Sequence, residues 1–205
     1  MDFAVYFSAL GLAAGQIVGI GPQNAFVIRQ GIGRSHVLPI VLVCILCDVF
    51  FIAAGVWGVG AWVSSHNELL HWVIWGGAAF ITWLGVRSLR SALTPKQLDS
   101  QGGVEKSRAA AIKTILLVTL LNPYVWIDTV VLIGSVSSAY GAENKGAFLL
   151  GCLTASLIWF LGIGFFAGKL APWFKSPNSW RILDGVIACV MFLTAGMLVA
   201  RFALH

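Results

Sequence analysis

Charge is scarce in this sequence: Lys, Arg, Asp and Glu make up 10% of its 205 residues, where an ordinary soluble domain carries roughly 25%. With 59% of the chain hydrophobic, there is too little polar surface to keep a globule of this size in water. A soluble enzyme or binding module is excluded, and the lipid bilayer becomes the solvent. Histidine is missing at depth. His36, His66, His71 and His205 all stand at the edges of apolar runs, so no Ser-His-Asp or Cys-His set can be assembled inside a membrane. No catalytic residue is expected. Cys44, Cys47, Cys152 and Cys189 sit within apolar runs, where a thiol behaves as a small buried hydrophobe. The first two have the spacing of a zinc or redox pair but lack a second ligand pair, so no metal, cofactor or disulfide framework is expected. A positive leader is lacking too: the chain opens Met1-Asp2-Phe3, and its first apolar segment is expected to be retained. The net charge of +5 is spread through short loops, where it orients a membrane protein and does not describe a nucleic-acid surface.

What the sequence does hold is six apolar blocks, near residues 3–28, 37–63, 69–90, 112–138, 146–168 and 180–203. Each reaches the roughly 20 residues that cross a bilayer as a helix. The predicted class is all-α, a polytopic membrane protein with six transmembrane helices in one domain over residues 1–205. All Lys and Arg except Lys145 and Arg201 lie in or beside the first, third and fifth connections. The positive-inside rule then assigns those connections to the cytoplasm and both termini to the far side. The sizeable polar connection, residues 91–111, holds Pro95, Gly102 and Gly103 with charges of both signs, and reads as a mobile cytoplasmic linker that tolerates replacement. It parts a three-helix half, 1–90, from another, 112–205. Three is odd, so the second half enters the membrane from the opposite side and the halves form an inverted repeat. Small residues spaced for close helix contact occur at Gly11, Gly15 and Gly19 and at Gly151, Ala155, Gly162 and Ala167-Gly168.

Two places interrupt the apolar pattern. Gly19-Ile20-Gly21-Pro22-Gln23-Asn24 does so in the first block, and Leu121-Asn122-Pro123 repeats a proline beside a carboxamide in the fourth. Proline removes a backbone donor and frees a carbonyl, and such groups cost several kcal/mol in hydrocarbon unless protein or a water-lined cavity satisfies them. The helix breaks at Gly19, Gly21, Pro22 and Pro123 are thus expected beside a cavity. Paired breaks in corresponding segments of two halves point to a transporter's binding site.

Asp48 stands deep in the second block, and Asp128 follows shortly after Pro123. A carboxylate at such depth costs at least about 2.5 to 3.5 kcal/mol, which marks a functional site by default. No Lys or Arg lies at comparable depth, so the cavity is negative and a cation is its natural ligand. Asp2, Glu68, Asp99, Glu105, Glu143 and Asp184 stand in loops or at block ends and require no such account. The acids and the amides of Gln23, Asn24 and Asn122 suit either an organic cation or a divalent metal as transported cargo. An aspartyl-protease dyad is disfavoured because neither acid sits in a Gly-Asp setting, and the buried acids count against a purely structural scaffold.

Gly21-Pro22-Gln23-Asn24-Ala25-Phe26 with Gln30-Gly31, Cys47-Asp48-Val49, Trp75-Gly76-Gly77, Leu121-Asn122-Pro123 through Asp128-Thr129, and Ala155 through Phe160 resemble the LysE/ArgO family of bacterial lysine and arginine exporters. The resemblance runs in order along essentially the whole chain. Ile127 departs from the family's usual Leu, and the short central linker is similar to that of the arginine-exporting branch. The resemblance implies an inner-membrane exporter of L-arginine and/or L-lysine, with Asp48 and Asp128 matching the family's intramembrane acids. An acid that binds a proton and the substrate cation alternately would couple export to proton entry. Half-helix amino ends with Gln23, Asn24 and Asn122 would receive the substrate carboxylate. The partners expected are thus a basic amino acid, protons and the lipid bilayer, with room for a homodimer.

Overall fold

A computed structural model describes residues 2–18, 21–59, 62, 66–94, 104–105, 107–122 and 125–203, and only the backbone of 67, 69, 70, 73, 175, 198 and 201–203. Gly19 and Pro123, two of the predicted breaks, lie outside the described residues, as does most of the linker. Among the described residues there is no strand. The helices are α1 (Phe3–Ile17), α2 (Pro22–Ile32), α3 (Val37–Val56), α4 (Asn67–Leu93), α5 (Arg108–Leu120), α6 (Val125–Ser138), α7 (Lys145–Phe166) and α8 (Pro177–Ala203), with a 3-10 stretch over Ala167–Lys175.

Local chemistry sets the ends of several. Asp2 caps α1, its carboxylate accepting from the amides of Ala4 at 2.9 Å and Val5 at 3.3 Å. Pro22 opens α2 at the first helical position, where its missing N–H would be unpaired anyway. Helix α6 is wound as a wide π-helix over Val125–Ile133 before tightening at Gly134. An extended π run is rare and tends to occur at functional sites. The apolar count of the fourth block carried no sign of it.

Helices α3, Ala142–Phe174 and Pro177–Met197 are each long and apolar enough to cross a membrane, and the bent pairs α1/α2 (78°) and α5/α6 (56°) bring the number to as many as five. The outer surface agrees with lipid as its solvent. On α3 the buried side is Ile40, Val41, Cys44, Cys47, Asp48, Phe51 and Ile52, while the exposed side is Leu38, Leu42, Leu46, Val49 and Phe50, an apolar face that water would not tolerate on this scale.

Packing directions follow from which residues meet. Asp48 bonds Ser156, and Val41 lies against Gly164, so α3 and α7 are antiparallel. Phe51 stacks edge-on with Trp126 and Gly55 abuts Val130, so α3 and α6 run parallel. Along α4, Ala92 meets Arg181, Gly85 meets Met191, and Ile74 and Ala78 share a cluster with Val199, which makes α4 antiparallel to α8 over nearly its full length. Helix α1 packs chiefly on α7, where Gly151 sits against Tyr6 and Ala9.

Three expectations need correction. The linker is shorter than 91–111, since α4 continues to Leu93 and α5 begins at Arg108; the apolar count had stopped at the first charged residues, whose long stems a helix accommodates. The linker's far end is also anchored. Ser35 Oγ donates to the Glu105 carbonyl at 3.0 Å, and Val104 packs against Gly33. Finally, of the small residues proposed for close contact, Gly151 makes one with α1 and Ala167 and Gly168 make one with Gly31, whereas a Cβ at Gly11, Gly15 or Gly162 would meet nothing within 4 Å.

Candidate functional site

The α1/α2 break is held by its own side chains. When a helix ends inside a bundle its last carbonyls lose their partners, and the Asn24 amide donates to the freed carbonyl of Ile17 at 2.8 Å. Trp159 Nε1 on α7 in turn donates to Asn24 Oδ1 at 3.2 Å, which fixes the amide's orientation. The α5/α6 break has a counterpart: Trp126 Nε1 donates to the Leu120 carbonyl at 2.9 Å. Each break is thus closed by a donor from just beyond it, which frees neither half-helix to straighten.

Between the breaks lies a cavity of about 420 Å³, within the range typical of small-molecule sites. All five residues singled out for binding, Gln23, Asn24, Asp48, Asn122 and Asp128, line it, together with Gly21 and Pro22. Its remaining wall is mostly apolar, from Ile17, Val125, Phe160 and the α8 side chains Val190, Leu193 and Met197. Among the described lining residues there is no Lys or Arg, so two carboxylates set the sign of the field.

Asp48 is 6% exposed and accepts a hydrogen bond from Ser156 Oγ at 2.6 Å. Asp128 falls in the first turn of α6, where the unpaired amides and the helix dipole favour a carboxylate. The opposite end, at α2, has no side-chain cap on Gly21, and its first residue, Pro22, brings no N–H. Among the described residues, Gln23 has no nitrogen or oxygen partner for its buried amide nitrogen, only the Cys44 thiol beside it, and Gln16 in the same wall has none for its amide oxygen. Orphaned buried polar atoms are rare enough that each needs a reason. An acceptor and a donor left open beside two acids form a polar lining awaiting a polar guest.

Sequence reasoning missed several parts. Ser156 stood only within the Ala155 through Phe160 stretch of the family resemblance, with no role of its own, and its partner lies 108 positions away. Gln16 and Thr194 also line the cavity without any pattern to mark them, and Thr129, quoted only within the family resemblance, joins them. Asp184, assigned above to a block end, is wholly buried and ion-paired with Arg29, and its other oxygen accepts from Ser91 Oγ at 2.7 Å. It ties α8 to α2 and α4. A signal existed in retrospect: Asp184 lies seven residues inside α8, two full turns beyond Pro177. Among the described residues no group of three or more His, Cys, Asp or Glu is arranged to hold a metal ion.

A family model described as LysE type translocator matches residues 15–201. Arginine exporter protein ArgO of Escherichia coli (strain K12) is 39% identical over 194 residues, which cover 94% of this chain and 92% of that protein. The same-named protein of Pectobacterium carotovorum subsp. carotovorum (strain PC1) is 39% identical over 191 residues, 93% of this chain and 94% of the relative. That of Salmonella schwarzengrund (strain CVM19633) is 39% identical over 201 residues, 98% and 95% respectively. No solved structure matches the chain.

Proposed function

The chain belongs to the LysE type translocator family, and from that premise we propose that it exports L-arginine, with L-lysine as the second basic substrate, from the cytoplasm across the inner membrane in exchange for protons. The observation that carries this reading is the meeting of Asp48, Asp128 and the α2 amino end in one cavity without Lys or Arg among its described lining residues. A basic amino acid has a cationic side chain and a carboxylate at opposite ends. The acids suit the first and the helix end suits the second. The relatives named above are arginine exporters, which weighs against the divalent-cation alternative.

Export of a cation against an inside-negative potential costs about 2.3 kcal/mol per elementary charge per 100 mV. A proton entering in exchange cancels that electrical work. An acid within the cavity serves both ions if proton and substrate occupy it in turn, and Asp48, held by a single hydroxyl from Ser156, is the first candidate. Asp128, in the first turn of α6, is second, because it lies on a different helix and off the inverted-repeat equivalent of Asp48.

The helix directions support six crossings arranged as an inverted repeat. Parallel α3 and α6 require the chain to recross the membrane between α3 and the α5/α6 pair, and α4, 27 residues and about 40 Å long, lies there. Exchanging the halves maps α3/α7 onto itself, α4/α8 onto itself, α1/α7 onto α5/α3 and α2/α7 onto α6/α3, all of which are contacting pairs. With the basic connections inside, both termini then lie outside the cytoplasm. Proteoliposomes test the function: labelled L-arginine should exchange with internal L-arginine, and an imposed pH gradient should drive its net movement. Absence of exchange for both arginine and lysine would defeat the reading.

A further inference from the structure

A second cavity, of about 250 Å³, lies on the other side of the α2 amino end and shares Pro22 with the first. Its lining differs in kind, for it carries charges of both signs in Arg29, Arg87 and Glu105. Arg29 is committed to Asp184. Arg87 and Glu105 form no ion pair with each other, and each is held where it is by other groups. Arg87 lies over the Trp83 ring at 6.0 Å. The Glu105 carboxylate accepts from Thr114 Oγ at 3.3 Å, and its backbone is pinned to the far end of α2 by Ser35 Oγ at 3.0 Å and by the Gln30 amide, which accepts from the Glu105 N–H at 2.8 Å. The cavity adjoins the basic helix ends at Arg29 and Arg87 and the anchored end of the linker, the side assigned to the cytoplasm.

Opposite charges kept apart across a small cavity are complementary to a zwitterion, each end of which forms a charge-assisted hydrogen bond stronger than a neutral one. We propose that this inner cavity is a first-contact site for the exported amino acid, with Arg87 receiving its carboxylate and Glu105 its cationic group, before the solute passes the first turn of α2 to reach Asp48. This rests on the chain being an exporter of basic amino acids. It also gives the anchored end of the linker a task, since Glu105 forms part of the wall of the site. The wall between the two cavities is the turn carrying Pro22 and Ala25, so a shift of α2 alone would join them.

The test uses full-length protein in oriented proteoliposomes, with half-saturating L-arginine measured separately from the cytoplasmic and external faces. Arg87→Gln and Glu105→Gln should each raise the cytoplasmic-face value roughly tenfold, the effect of one lost charged hydrogen bond, and leave the external-face value unchanged; Glu105→Asp should recover part of the loss. An unchanged cytoplasmic value, or an equal rise on both faces, overturns the proposal. For variants that insert poorly, the same question is put to a Cys189→Ala, Ser88→Cys protein, where L-arginine should slow labelling by an impermeant maleimide from the cytoplasmic face, and lack of protection counts against the site. A wild-type protein that moves no basic amino acid defeats the exporter reading itself, and this proposal with it.

Discussion

Asp48 and Asp184 are both buried acids, yet their surroundings assign them opposite work. Asp184 faces a guanidinium partner within the protein, Arg29, whereas Asp48 has only the neutral hydroxyl of Ser156 and an open cavity beside it. Replacing Asp48 by Asn keeps an oxygen for Ser156 and removes the charge, so insertion should be normal while export falls about 10- to 100-fold, the scale of a lost charge-assisted contact. Arginine-analogue resistance alongside membrane abundance reads this out, and undiminished gradient-driven export in Asp48→Asn would refute the role. Asp184→Asn should behave differently. It strands Arg29, whose side chain is 13% exposed, and breaking a buried pair costs about 3 to 5 kcal/mol. Thermal unfolding in detergent should show that loss, and adding Arg29→Gln should restore much of it. A double variant no more stable than the single one would mean the pair is not the source.

At the scale of helices, close backbone approach is concentrated where halves of the chain cross. Gly55 on α3 leaves no room for a Cβ, which would stand 2.8 Å from the Val130 carbonyl of α6. Gly151 on α7 is similarly pressed against the Tyr6 carbonyl of α1. Gly151→Val should therefore destabilise by about 1 to 3 kcal/mol through overpacking, while Gly162→Val on the same helix, facing open space, should be near neutral. Monodispersity and melting temperature after extraction distinguish them, and equal effects at both positions would contradict the α1/α7 contact.

The whole molecule is bound by an argument about parity. In the proposed topology α4 returns the chain across the bilayer between the parallel α3 and α6, and the number of crossings is then even. Impermeant thiol labelling of a cysteine at Asp2 and of one appended after the carboxyl terminus should thus report the same side, the external one. Labelling from opposite sides would leave five crossings and remove the inverted repeat.

The sequence alone determined the solvent, the helical class, the two breaks and the five polar residues around them, because each is a local property: the transfer cost of a segment or a buried charge adds up residue by residue along the chain. Gln23, Asn24, Asp48, Asn122 and Asp128, which line one cavity, were legible because polar side chains stand out in apolar runs. What only the tertiary structure decided are the pair properties. That Ser156 serves Asp48, that Trp126 closes one break as Asn24 closes the other, and that Val104 and Glu105 dock on α2 depend on which helix faces meet, and apolar composition is nearly the same on every face of these helices. Asp184 illustrates the limit. Its neighbours in sequence describe a helix end near the interface, and it is the convergence of α2 and α4 on α8 that takes it out of water and gives it Arg29 and Ser91 as partners.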